Sequence, residues 1–348
     1  MNSVVISGAA GFLGSHMMLH HMQQGDFVVG IDNYCTSDPD SEHVLKIKTA
    51  LKDSGNGILL HGDITNYSEV SEAFRIASNK SVAVHGVAVP LEVDTVYNFA
   101  CPASPPQYDR LSMQTLDTCY VGTKNVLNLA KLCKKATVLH ASTSEVYGDP
   151  HVSPQPETYW GHVNSFGPRA CYDEGKRVAE SLCYDFQKRS DLDVRIVRIF
   201  NTYGPHMDPH DGRVVSNFVR QVGNDEPITV YGSGNQTRSF CYVSDLIAGI
   251  TSVVSLAANP GHPVNVGNSC EFTVNELTAI VKKLFPLSRS KVTHSPLPKD
   301  DPRQRRPDLQ RINFLVSGWQ PEVTLKDGVY NLANYWYKLG VIKNRPIQ

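Results

Sequence analysis

No stretch of this 348-residue chain reaches the roughly 18 consecutive apolar residues that a membrane-crossing helix needs. The longest apolar run, around Leu246–Ala258, is broken by Gly249, Thr251 and Ser252. An excess of charge is missing too: 33 basic against 34 acidic side chains leave a formal net charge of −1. That balance gives no electrostatic reason to bind nucleic acid or an anionic membrane surface. None of the eight cysteines forms a C-x-x-C pair, which reads as reduced, mostly buried thiols. No internal repeat is present. Met1 runs almost directly into the strand-like Val4-Val5-Ile6, so no signal peptide is expected. A hydrophobic fraction of 41% over this length is enough for one large domain or two modest ones. The expectation is a soluble, cytoplasmic enzyme.

What is present is a strand–helix alternation. Apolar runs at Val4–Ser7, Phe27–Asp32, Ile58–Ile64, Thr95–Ala100, Thr137–Ser142 and Val194–Phe200 read as strands buried on both faces. Between them lie helical patterns at Leu13–Gln24, Tyr67–Ile76, Ser112–Lys135 and Tyr172–Lys188. In the last, Val178, Leu182 and Phe186 mark the expected apolar face. The polar segment Thr36–Gly57 reads as an exposed connection. The alternation predicts an α/β, Rossmann-type doubly wound parallel sheet. After Asn201 the texture changes to Gly, Pro and polar residues. A helix at Ser244–Leu256, a strand at Val264–Val266, a helix at Thr273–Phe285, a Pro/Arg-rich stretch at Pro296–Pro307 and a helix at Lys326–Leu339 follow. Residues 1–200, with return segments around 240–268, are expected to hold a dinucleotide. Residues 201–348 should form mainly a smaller, discontinuous α/β substrate lobe.

Gly8-Ala9-Ala10-Gly11-Phe12-Leu13-Gly14 follows the first strand and opens the first helix. Glycines at such a turn allow a close backbone approach to a pyrophosphate. The second strand ends in Asp32, where a carboxylate can bind both ribose hydroxyls and repel a 2′-phosphate. NAD is therefore favoured over NADP, with Gly8, Gly11, Phe12, Leu13, Asp32, Asn33, Asp63 and Ile64 as its expected contacts. His16 and His20 have a zinc-compatible i,i+4 spacing but no third ligand, so no metal is expected.

Three tyrosines precede a lysine by four residues: Tyr120/Lys124, Tyr172/Lys176 and Tyr184/Lys188. That spacing puts each pair on one helix face. Position selects Tyr172/Lys176, whose helix begins at the carboxyl edge of the sheet, where α/β folds bind ligands. Tyr184 lies about 18 Å further along at 1.5 Å per residue. Thr143, ending the fifth strand, can hold a substrate hydroxyl beside Tyr172. The Lys176 cation and an oxidised nicotinamide would lower the Tyr172 pKa from about 10 toward neutrality, giving a usable base.

Several longer stretches carry a resemblance. They are Asn98–Pro105, Ser142–Pro150, Tyr159–His162, Pro168–Arg177, Ile199–Pro205, Asp211–Phe218 and Val230–Val243. Through them the chain resembles the extended short-chain dehydrogenase/reductases, and among these the UDP-glucuronic acid decarboxylases. The resemblance covers nearly everything outside about residues 35–95. It implies oxidation at C4 of the sugar, loss of carbon dioxide from the β-keto acid and reduction back to UDP-xylose. Thr143, Tyr172 and Lys176 map onto the oxidation machinery, and Glu145 and Arg305 onto the reacting C5–C6 end. Thr202 and Arg213 fall near NAD, and Asn201, Val215, Asn217, Phe218, Tyr231 and Arg238 at the UDP-sugar. A homodimer through a four-helix bundle near Ser112–Lys135 and Tyr172–Lys188 is also implied.

Departures are localised. Gln114-Thr115-Leu116-Asp117-Thr118-Cys119 stands where relatives read Lys-Thr-x-Lys-Thr-Asn, and His206 replaces a common arginine. An Asp within about 4–6 Å of a sugar carboxylate would repel it. Either the backbone turns Asp117 away, or another cation compensates, or the substrate is not glucuronate. A 4-epimerase remains an alternative. Ser144 stands where a 4,6-dehydratase has an acid, and a non-catalytic NAD-binding protein would have no use for Thr143, Tyr172 and Lys176.

Overall fold

The computed structural model describes residues 1–79, 92–133, 135–297 and 304–348. Six strands follow the expected order: β1 (Ser3–Ser7), β2 (Phe27–Asp32), β3 (Gly57–His61), β4 (Thr95–Asn98), β5 (Thr137–Thr143) and β6 (Asp193–Ile199). With Val264–Val266 they form one seven-stranded sheet in the order Val264–Val266, β6, β5, β4, β1, β2, β3, and all neighbours pair in parallel. The strand order reverses between β1 and β4, and a crevice opens there at the carboxyl ends. This is the Rossmann-type sheet that the alternation predicts.

Alternate residues of β1 serve opposite layers. Val5 packs with Phe74, Val126 and Leu127 on one face, while Val4 and Ile6 pack with Met17, Met18 and Ile250 on the other. Both faces are covered, so the strands need no polar side. Helix α1 (Phe12–Gln23) follows the glycine loop, α2 (Glu42–Ser54) covers the β2–β3 edge and α3 (Tyr67–Asn79) follows β3.

Four expectations require correction. Thr36–Gly57 is not simply an exposed connection: α2 buries Val44, Ile47 and Leu51, an i,i+3,i+7 stripe hidden among polar residues. The third strand stops at His61, so Asp63 and Ile64 lie in the loop beyond it. The helix expected over Ser112–Lys135 runs without a break in backbone conformation from Ser112 but contains a π-turn at Thr118–Gly122 and ends at Ala130. Residue 134 lies outside the described residues. In the helix Ala170–Ser190 Leu182 and Phe186 do pack against the core, but Val178 is 42% exposed, and the fully buried stripe is Tyr172, Gly175, Lys176, Ala179 and Cys183.

Beyond Asn201 the chain builds a second core. Phe218, Val219, Ile228, Val230, Leu277, Val281, Leu332 and Trp336 pack together there. The helix Val214–Gly223 and the parallel pair Ile228–Tyr231 and Val292–Ser295 belong to it, as do the helices Val274–Leu284 and Leu325–Lys338. Thr273 and Glu276 close a reciprocal cap on the first of those two helices. The helices Val243–Val254 and Gln310–Leu315 return to the first sheet. Within the Pro296–Pro307 stretch, residues 298–303 lie outside the described residues, and Gln304–Arg305 forms a short strand beside Thr237–Ser239.

Candidate active site

One continuous cleft of about 1420 Å³ runs from the glycine loop, past the ends of β4 and β5, into the second core. It exceeds the roughly 300–1,000 Å³ of a site for one small ligand, which suits two adjacent ligands. All the residues singled out for NAD, catalysis and UDP-sugar line it, from Gly8 to Arg305.

The loop residues fit a dinucleotide. Gly8 has φ +68°, and a Cβ there would stand 2.8 Å from the Ala100 nitrogen. A Cβ on Gly14 would stand 2.0 Å from the Gly8 carbonyl, so the helix and loop approach only because both are glycine. Gly11 caps α1, and its neighbours Phe12 and Leu13 form the cleft wall. The Asp32 carboxylate accepts from the backbone N–H of Ala10 at 2.9 Å and of Tyr34 at 2.8 Å. Burial pushes its carboxyl pKa upward, against those two hydrogen bonds. Asn33 donates to Asp63 at 2.7 Å, and Thr65 donates to the other Asp63 oxygen. Burial works against ionisation of Asp63, but hydrogen bonds from Thr65, Asn33 and Gln114 hold its pKa low. Gln114 thus turns toward Asp63. Asp117 is exposed and absent from the cleft wall, so it puts no negative charge at the sugar end.

His206 is sandwiched between His16 and His43, with centroids 4.3 and 4.6 Å away, and it hydrogen-bonds with Ser15 at 2.9 Å. Burial and the two neighbouring imidazoles push its pKa down to about 2, so it stays neutral. Among the described residues no group of His, Cys, Asp or Glu is arranged to hold a metal.

Spacing and place can be separated at the tyrosines. The three Lys ammonium groups stand 5.9, 5.9 and 5.7 Å from the Tyr120, Tyr172 and Tyr184 rings, so the local geometry is the same. Tyr120 and Tyr184 are 46% and 59% exposed, whereas Tyr172 is 6% exposed and borders the cleft. Tyr172 hydrogen-bonds with Thr143, and Lys176 donates to the Ala141 carbonyl at 2.8 Å. Burial raises the Tyr172 pKa well above its ordinary value, opposite to the lowering expected from Lys176. The protein alone therefore keeps this phenol protonated.

Glu145 lies two residues beyond Thr143, in the short 3-10 turn Ser144–Tyr147 that Thr143 caps. Arg169 donates to its Oε2 at 2.6 Å and Arg305 to the same oxygen at 3.1 Å. Although burial disfavours ionisation, Arg305 and Arg169 hold the Glu145 pKa at about 2. Arg305 is 1% exposed and also donates to the carbonyls of Ser144 and Gly148. It is thus a strut as well as a charge. Arg213 bridges the two cores, pairing with Asp211 at 3.0 Å and donating to the Ala103 carbonyl at 2.7 Å. Thr202 donates to the Phe200 carbonyl, Asn217 to the Gly212 carbonyl and Arg238 to the Thr237 carbonyl. Val215 and Phe218 are buried, Tyr231 is 42% exposed, and all three line the same cleft as Asn201.

Sequence reasoning assigned no role to Arg169 and Asp173, although a signal was available. Residues 169, 172, 173 and 176 are spaced i, i+3, i+4, i+7, so they share the helix face that carries Tyr172. Tyr108 and Cys101 carried no comparable signal. Cys101 and Cys119 lie with their sulfurs 3.5 Å apart, so the cysteine that replaces an asparagine is absorbed by a thiol–thiol contact.

The family model of the NAD-dependent epimerases and dehydratases matches residues 4–267. UDP-glucuronic acid decarboxylase 1 of Danio rerio is 44% identical over 336 residues, covering 96% of this chain and 72% of the relative. The chain belongs to the UDP-glucuronic acid decarboxylase family. UDP-glucuronic acid decarboxylase 5 of Arabidopsis thaliana is 41% identical, covering 98% of this chain and 91% of the relative. Among solved structures, the UDP-glucose 4-epimerase of Thermotoga maritima superposes with a TM-score of 0.82 at 23% identity, covering 97% of this chain and 99% of that one. The Bacillus cereus UDP-glucuronic acid 4-epimerase, in complex with UDP-glucuronic acid and NAD, gives 0.79 at 23% identity, covering 97% and 99%. These two likenesses carry the fold. Like the other members of its family, this decarboxylase-family chain is an enzyme fold that uses NAD.

Proposed function

We propose that this protein converts UDP-glucuronate to UDP-xylose, using NAD held in the cleft. The observation that carries the reading is the Glu145 carboxylate shared by Arg169 and Arg305, beside Thr143 and Tyr172. Gly8, Gly11, Phe12, Leu13, Asp32, Asn33, Asp63, Ile64, Thr202 and Arg213 hold the cofactor, together with Tyr172 and Lys176. When bound, NAD supplies a reversible acceptor for the hydride at C4. Thr143 holds the C4 hydroxyl, and Tyr172 accepts its proton. Because burial keeps the phenol protonated, that service depends on positive charge brought to the ring, from Lys176 and the oxidised cofactor. With C4 a ketone, the C5–C6 bond breaks as carbon dioxide leaves, and its electron pair passes onto the ketone oxygen. Glu145 and Arg305 orient this end, and Glu145 relays a proton to C5 through water. Asn201, Val215, Asn217, Phe218, Tyr231 and Arg238 hold the UDP-sugar, mainly from residues 201–348, while residues 1–200 with returns around 240–268 carry the cofactor.

No helix among the described residues is long and apolar enough to cross a membrane. We infer a cytoplasmic homodimer that buries the exposed Met113, Leu116, Tyr120, Val178 and Tyr184 of the Ser112–Ala130 segment and the helix Ala170–Ser190 in a four-helix bundle. Incubation with UDP-glucuronate and NAD should yield a product lighter by one carbon dioxide. A product of unchanged mass would point to epimerisation and sink the decarboxylase reading.

A further inference from the structure

Two thiols beside the catalytic pair have no part in the reaction above. The sulfurs of Cys101 and Cys119 lie 3.5 Å apart in hydrogen-bond contact, joining positions 18 residues apart in the chain. Cys101 follows β4 and lines the cleft, where its sulfur also donates to the Pro102 carbonyl at 3.3 Å. Cys119, in the π-turn Thr118–Gly122, is 2% exposed. One cysteine is therefore reachable from the cleft, and its partner is shielded.

The pair is seated against the helix that carries Tyr172 and Lys176. A Cβ on Gly175, the residue before Lys176, would stand 3.1 Å from the Cys119 sulfur, so that sulfur fills the space the glycine leaves. The Lys176 charge acts on both sulfurs, and Cys101 acts on Tyr172. The hydrogen bond from Cys101 holds the Cys119 thiol below its usual range, against burial and with help from Lys176. The same contact, with burial, pushes the Cys101 thiol up. One proton is thus lost more readily than from an isolated buried thiol, and the other is shared across the contact. When the shared proton sits on Cys119, the negative charge is on Cys101, at the cleft.

We propose that Cys101 and Cys119 are a peroxide-sensitive pair that closes to a disulfide and slows the enzyme. The Cys101 thiolate attacks one peroxide oxygen. An S–O bond forms, the O–O bond breaks, and the departing hydroxide takes up the proton lost earlier to become water. The Cys119 sulfur then attacks Cys101: the S–S bond forms, the S–O bond breaks, and a second water leaves with the Cys119 proton. The two thiols are oxidised by two electrons, and the peroxide is reduced to two waters. Closing the sulfurs from 3.5 Å to about 2 Å moves Cys119 from its seat at Gly175. That seat sets the turn bearing Lys176, and a displacement of about 1 Å can cost roughly 100-fold in rate.

The test treats NAD-loaded protein with hydrogen peroxide, then maps its peptides by mass spectrometry without reductant. Oxidation of the exposed Cys270 reports the dose. A peptide cross-linked between Cys101 and Cys119, lighter by two hydrogens than the free thiols, is expected. Carbon dioxide release from UDP-glucuronate should fall about 10-fold or more and return with dithiothreitol. Cys119→Ser and Cys119→Asn should each keep the turnover of reduced wild type and hold it under peroxide. No such link at a dose that oxidises Cys270, or the same loss of turnover in both variants, overturns the pair. A link that forms with turnover unchanged overturns the effect on the enzyme. Only the rate readout rests on the decarboxylase reading. A reduced wild type that releases no carbon dioxide overturns that reading alone, since the link is read by mass without substrate.

Discussion

Arg305→Ala is the substitution whose cost can be worked from the most contacts. The side chain is 1% exposed and donates to the Ser144 carbonyl, the Gly148 carbonyl and Glu145. Breaking a buried ion pair by removing one partner typically costs about 3–5 kcal/mol. A second route gives a similar figure. The Glu145 pKa falls from its ordinary 4.5 to about 2, a net gain of roughly 3 kcal/mol after the opposing cost of burial, with Arg305 the largest favourable contributor ahead of Arg169 and Arg238. The sign follows from the direction. A depressed folded pKa means the pairing stabilises above about pH 4.5 and is lost as the pH falls toward 2. Urea unfolding at pH 7 should therefore place Arg305→Ala about 3–5 kcal/mol below wild type, and the gap should narrow as the pH drops below 4.5. Among the molecules that remain folded, NADH should form from UDP-glucuronate while UDP-xylose falls sharply, because oxidation does not require Arg305. A variant within about 1 kcal/mol of wild type at pH 7 would refute the strut. One that makes UDP-xylose at the wild-type rate would refute the chemical role.

Tyr172→Phe should lower turnover about 10²–10⁴-fold while retaining NAD, measured by steady-state kinetics and bound-cofactor absorbance. Tyr184→Phe, at a position 59% exposed, should leave turnover unchanged, and the reverse pattern would sink the assignment. Asp32→Ala should weaken NAD binding and erase its preference over NADP; its loss also frees the Ala10 and Tyr34 N–H groups, so the loop should loosen in hydrogen exchange. Asp173 has a raised folded pKa of about 7, so ionising it opposes folding as the pH climbs from about 4 through 7. Asp173→Asn should therefore gain on wild type as the pH rises through this range, by up to about 4 kcal/mol above pH 7, read from urea midpoints across pH. Trp336→Ala, at a site 1% exposed in the second core, should cost about 3–5 kcal/mol in thermal or urea unfolding.

The sheet was legible because its strands are buried on both faces and read as unbroken apolar runs. The helix α2 was not, because Val44, Ile47 and Leu51 are scattered among lysines, a histidine and a glutamate. Tyr172 could be chosen over Tyr120 and Tyr184 by its place in the chain, since all three share the same ring–ammonium geometry. Its pKa could not be read, because spacing shows the nearby lysine but not the burial that outweighs it. Asp117 looked threatening in the sequence, yet it lies on the exposed face of its helix, outside the cleft wall. Arg305 came through resemblance alone. Its pairing with Glu145 joins residues 160 positions apart, beyond the reach of any local pattern.

Isotopically labelling the carboxyl carbon of UDP-glucuronate tests the central claim most directly. With the NAD-loaded protein, the label should leave as carbon dioxide while the sugar product appears as UDP-xylose, carrying solvent deuterium at C5 when the reaction runs in heavy water. If the label stays on the sugar, whether as unreacted substrate or as a C4 epimer, the arrangement of Tyr172, Glu145 and Arg305 does not perform decarboxylation.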